Sequence, residues 1–128
     1  MRLSARLKTC PGPRRLPALE ALDQLLLTLC RHTRRFPALD PADLGLGMRS
    51  AALTAAEAVV TGLADGGLAE QLLTAARRLR EVGFYIEVTR RLGFLSPATA
   101  ATLLAHQQRA SGEVAGLAWS PPAGRLLP

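Results

Sequence analysis

Residues 40–67 read DPADLGLGMRSAALTAAEAVVTGLADGG, and the reading of this stretch decides the fold. Asp40 reads as an N-cap, Pro41 as the first helical residue and Asp43 as an acid in the opening turn. A capping oxygen satisfies backbone N–H groups that the helix leaves open, and proline loses no hydrogen bond at that position. Gly66-Gly67 supplies the stop. On a helical wheel Asp43, Ser50, Thr54, Glu57 and Thr61 fall on one narrow stripe, while nearly everything else, from Leu44 through Ala51, Ala55, Val59 and Leu63, is apolar or small. Such a helix has to be buried on more than one side, and other helices must cover it.

Those helices flank it in sequence. Upstream, Pro17 fits the first turn of helix one, which places Leu19, Leu22, Leu26, Leu29, Cys30 and Thr33 on one stripe before Phe36-Pro37 ends it. Its acids, Glu20 and Asp23, come first and its arginines, Arg31, Arg34 and Arg35, come last, the order that the helix macrodipole favours. Downstream, helix three spans residues 68–92 with Leu68, Leu72, Ala75, Leu79, Val82 and Ile86 on its core face. Leu73, Phe84 and Val88 share the outward face with Arg77, Arg80 and Arg91, which is more apolar surface than a helix facing only water requires. A partner chain would cover them, although scattered exposed apolar residues are also ordinary.

Gly93 reads as a left-handed helix stop, and Ser96-Pro97 as the cap and first residue of helix four, which runs to about Trp119. Its stripe is Ala100, Leu103, Leu104, Gln107, Ala110, Val114 and Leu117, with Gly112 and Gly116 allowing close backbone approach. Beta-branched alternation is absent. The three short connections make neighbours antiparallel, so the expected fold is an all-α, up-down-up-down four-helix bundle over residues 17–119, between a basic tail (1–16) and a C-terminal tail (120–128).

With 128 residues the chain suits one domain and can bury a real core without disulfides or a metal. Cys10 and Cys30 make neither a disulfide framework nor a zinc spacing, and no apolar run free of charge is long enough to cross a membrane. Glu20 and Asp23 interrupt the leucine-rich stretch that otherwise resembles a signal peptide, so the expected compartment is the cytoplasm. Of the net charge of +6, five units come from Arg2, Arg6, Lys8, Arg14 and Arg15, leaving a nearly neutral body. Basic surface there requires clustering. Arg31, Arg34 and Arg35 should meet Arg90 and Arg91, since helices one and three end at the same end of such a bundle, with Asp40 and Asp43 close by. Solvated helix ends are the plainer reading of the same clusters.

Chemistry-bearing constellations are missing. Neither His32 nor His106 has the Glu three residues before it that a di-metal bundle needs, and Cys30 and His32 point to different sides of a helix. No nucleophile with a neighbouring base is recognisable, and Glu81 and Glu87 are too far apart for an acid–base pair. The expectation is a non-enzyme with no cofactor and no metal.

Phe36-Pro37, a short acidic loop, Leu44-Gly45-Leu46 and Met48-Arg49 at the head of an Ala-rich helix, then Leu79 to Leu92 followed by Gly93-Phe94-Leu95-Ser96, together resemble a four-helix-bundle superfamily. It joins proteins encoded in intervening sequences of 23S ribosomal RNA genes with the accessory variability determinants (Avd) of diversity-generating retroelements. The resemblance covers about residues 19–119. Leu53-Thr54-Ala55-Ala56-Glu57-Ala58-Val59-Val60 lacks the Ser-Ile-Pro-x-Asn-Ile-Ala-Glu-Gly signature of the intervening-sequence branch. The basic character, with Gly116 and Trp119 ending helix four, is similar to the Avd branch, whose glycine and tryptophan lie closer together.

The resemblance implies a non-enzymatic subunit. It would form a homopentameric, positively charged barrel that binds the retroelement reverse transcriptase and template-repeat RNA and supports mutagenic retrohoming. Arg14, Arg15, Arg31, Arg34, Arg35, Arg77, Arg80, Arg90 and Arg91 would then supply the charge facing RNA or polymerase, and Leu73, Phe84 and Val88 the subunit contact. The alternative it leaves open is an intervening-sequence-type bundle with a structural or interaction role.

Overall fold

Proline, glycine and capping residues set the helix boundaries. The computed structural model, which describes residues 16–34, 36 and 43–118, contains α1 (Pro17–Thr33), α2 (Leu44–Asp65), α3 (Leu68–Arg91) and α4 (Pro97–Ala118), with no strand among the described residues. Pro17 opens α1. Ser96 caps α4, its Oγ accepting the Thr99 N–H at 3.1 Å, and Pro97 follows as expected. Gly66, Gly67 and Gly93 all take positive φ (94°, 69° and 84°), where a Cβ would be strained.

The cap of α2 is Asp43, not Asp40. Asp43 holds a left-handed backbone (φ 45°) and its Oδ1 accepts the Leu46 N–H at 3.0 Å, so the helix starts at Leu44 rather than Pro41. Asp40 and Pro41 lie outside the described residues, as does Trp119.

Helix neighbours follow the chain around a square: α1 packs on α2, α2 on α3, α3 on α4 and α4 on α1. Cross-helix contacts give the directions. Near the start of α2, a Cβ on Gly47 would lie 2.8 Å from the Tyr85 Oη near the end of α3, and near its end one on Gly62 would lie 2.9 Å from Leu68 at the start of α3. Thr33 ends α1 beside Arg49, in the second turn of α2. The first turns of α3 and the last of α4 share one groove. The bundle therefore runs up, down, up, down.

Its core is built from Leu22, Leu25 and Leu29 of α1, Met48, Ala52, Ala55 and Val59 of α2, Leu79, Val82 and Ile86 of α3, and Leu103, Ala110 and Val114 of α4. The expected face of α3 is buried, apart from a half-buried Leu68. On α1 the buried arc is rotated: Ala18, Ala21, Leu25 and Thr28 join it, while Leu26 and Cys30 are half-buried, because α1 faces both α2 and α4. Leu63, expected inside, is 41% exposed in the last turns of α2. Gly112 and Gly116 are exposed, and a Cβ on either would meet nothing among the described residues. The close backbone approaches lie instead at Gly47 and Gly62, where Ala-rich α2 meets α3.

Gln107 shows how a polar residue sits at the core edge. Its amide donates to the Leu79 carbonyl at 2.9 Å and the Ser111 hydroxyl at 3.3 Å, so both of its own N–H groups are paired. No described helix is long and apolar enough to cross a membrane.

Candidate anion-facing end of the bundle

Arginines at the last turns of α1 and α3 are the starting point, since cations suit the negative end of the helix dipole. Phe36, just beyond α1, and Phe94, just beyond α3, touch with ring centroids 5.7 Å apart and planes tilted by 55°. This contact ties the two arginine-bearing helix ends together, as the bundle topology requires. Arg31, Arg34 and Arg91 are exposed there. Arg90 is half-buried and partly neutralised, its Nη2 and Nε donating to the Glu87 carboxylate at 2.9 and 3.2 Å.

α2 adds Arg49, which the sequence reading did not single out. Its Nη1 donates to the Thr33 hydroxyl at 2.6 Å, and that hydroxyl donates to the Leu29 carbonyl at 2.7 Å. Arg49 is half-buried, and this neutral oxygen is its only hydrogen-bond partner among the described residues. Gly45 makes the seat, because a Cβ there would come within 3.1 Å of Arg49 Nη1 and 3.4 Å of the Phe36 ring. The Leu44-Gly45-Leu46-Gly47-Met48-Arg49 run thus has a physical reading: one glycine admits a guanidinium and the other a tyrosine. A glycine four residues before an arginine on the same helix face is the signal that could have found it.

Among the described residues, this end gathers Arg31, Arg34, Arg49, Arg90 and Arg91 against the carboxylates of Asp43 and Glu87. Among the described residues, the opposite end carries Glu20, Asp23, Asp65, Glu70 and Glu113 against Arg109, so that their charge is divided lengthwise. Guanidinium groups on fixed helix ends can hold phosphates in bidentate geometry, and at this end three of them are exposed and free of carboxylate partners among the described residues.

The remaining predicted positions are not brought to this end. Arg77 and Arg80 lie in the middle of α3, flanked along one stripe by Leu73 (65% exposed) and Phe84 (67% exposed), and Val88 is half-buried on the flank of that stripe. Arg80 is eleven residues before Arg91, or about 16 Å along the axis. Arg14, Arg15 and Arg35 lie outside the described residues. His106 shares a cleft of about 210 Å³ with Glu20, Asp23, Gln24 and Arg109, and Cys30 is half-buried and unbonded. Among the described residues no group of three or more His, Cys, Asp or Glu is disposed to hold a metal ion.

The fold and the site define a class: a bundle of four packed helices which, among the described residues, is basic at one end and acidic at the other. No family model matches this chain, and no curated protein or solved structure matches it.

Proposed function

We propose that this chain is a non-enzymatic accessory subunit of the accessory-variability-determinant type. It acts in the cytoplasm, assembles as a ring-like homo-oligomer (a pentamer, as in the family it resembles), and binds the reverse transcriptase and template-repeat RNA of a diversity-generating retroelement. In that role it supports mutagenic synthesis of complementary DNA. The observation that carries the reading is the Phe36–Phe94 contact, which joins the arginine-bearing ends of α1 and α3 beside Arg49. A rigid basic end repeated around an oligomer suits a polyanion held through its phosphates, by counterion release. Phe36 and Phe94 are both half-buried, so recognition runs through backbone and shape rather than stacked bases.

The test is RNA binding by the Arg34→Glu/Arg91→Glu double variant, followed by anisotropy of labelled template-repeat RNA across a salt series and by co-purification with the reverse transcriptase. Binding weakens, and the slope of log K against log salt becomes shallower by about 0.7 to 0.9 for each phosphate contact removed. The helical circular-dichroism signal stays as in the parent. Equal affinity and an equal slope in the variant would remove this end of the bundle from the proposal.

A further inference from the structure

Two outward helix faces carry the same spacing. On α2, Leu46, Ser50, Leu53, Glu57, Val60 and Ala64 succeed one another in steps of four and three; on α3, Leu73, Arg77, Arg80, Phe84, Glu87 and Arg91 do the same. Alternating steps of this kind keep one seam in line along a helix, which is the pattern that packs against another helix. Each seam carries large apolar residues left exposed among the described residues: Leu46 is 55%, Leu53 42%, Leu73 65% and Phe84 67% exposed.

Their charges are opposite. The exposed charges of α2 are Asp43, Glu57 and Asp65, all acidic, while Arg49 is half-buried beside Thr33. Glu57 and Asp65 have no ion-pair partner among the described residues. On α3, Arg78 and Arg90 are occupied by Glu81 and Glu87 at 3.0 and 2.9 Å, whereas Arg77, Arg80 and Arg91 have no such partner among the described residues. In register, packing α3 on its own counterpart would set Arg77 and Arg80 against the same arginines, and packing α2 on α2 would set Glu57 against Glu57. Neither like-charged contact is favourable.

We infer that the α3 seam of one copy docks on the α2 seam of a second copy, with Glu57 facing Arg77 and Arg80, and Leu53 and Val60 packed against Leu73 and Phe84. The two surfaces differ, so the contact is heterologous. Each molecule offers α2 to one neighbour and α3 to another, an arrangement that gives a ring where the rotation closes, rather than a two-fold dimer. The inference rests on the self-association in the proposed function. It assigns Arg77 and Arg80 to the contact between copies, leaving the bundle end to meet the anion.

The experiment is light scattering after size exclusion on the full chain, with circular dichroism to confirm the helical fold. Glu57→Arg shifts the assembly toward monomer, and so does Arg77→Glu/Arg80→Glu, each weakening association by about tenfold or more. Combining all three substitutions in one chain, which reverses both sides of the contact, restores assembly. An oligomer indifferent to every one of these changes overturns the seam pairing while leaving the anion-facing end as argued. A triple variant that stays as dissociated as Arg77→Glu/Arg80→Glu overturns it too, because Glu57 is then not the group that faces these arginines. A parent chain that is monomeric at about 100 µM, far above the dissociation constants of stable assemblies, removes the self-association itself.

Discussion

Thr33 links two helices through one hydroxyl, accepting from Arg49 and donating to the Leu29 carbonyl, at a site only 2% exposed. Thr33→Val keeps the shape and removes the acceptor, leaving a half-buried guanidinium without its partner. The expected cost is about 1–3 kcal/mol in urea denaturation, with little change in m value. Two glycines give a sign test. Gly62→Ala puts a Cβ 3.1 Å from the Leu68 Cα, which is backbone and cannot swing aside, and so destabilises. Gly112→Ala enters open space within a helix and stabilises by about 0.5–1 kcal/mol. A melting temperature that fell for both would contradict this account of α4. Arg49 was only faintly legible in the sequence, through Gly45 four residues before it, because its partner appears only once the last turn of α1 lies beside it. Gly112 was misread for a related reason: glycine in a helix marks either a close approach or open space, and only the neighbour decides.

At the scale of the element, local chemistry was readable. Gly93, Ser96 and Pro97 act within a few residues of themselves, and each performs the expected role. Ser96→Ala removes the oxygen that receives the Thr99 N–H and should cost about 1 kcal/mol in thermal or urea unfolding. An unchanged stability would mean that water replaces the cap. The start of α2 was misplaced because Asp40-Pro41-Ala42-Asp43 offers two capping carboxylates, and the choice is made by the left-handed turn at Asp43 rather than by residue type. The rotation of the buried arc on α1 was hidden for a different reason. A leucine-rich helix offers several adequate stripes, and contact with both α2 and α4 selects the one centred on Leu22, Leu25 and Leu29.

Across the whole molecule, the bundle topology was legible because two connections are too short for any but antiparallel neighbours, and the predicted meeting of the α1 and α3 ends follows from it. The lengthwise separation of charge was only half visible: the acid-first, arginine-last order of α1 is in the sequence, but its alignment with Asp65, Glu70 and Glu113 needs the helix directions. Charge arranged this way makes polyanion binding steeply dependent on ionic strength, since exposed groups are screened over about 8–10 Å at physiological salt. The most direct measurement is therefore the affinity of the purified, full-length chain for template-repeat RNA between about 50 and 200 mM salt, with the Arg34→Glu/Arg91→Glu variant alongside. The account predicts tight binding at low salt, a steep linear fall of log K with log salt, and a weaker, shallower line for the variant. Absence of binding at the lowest salt, or identical lines for the two proteins, would contradict it.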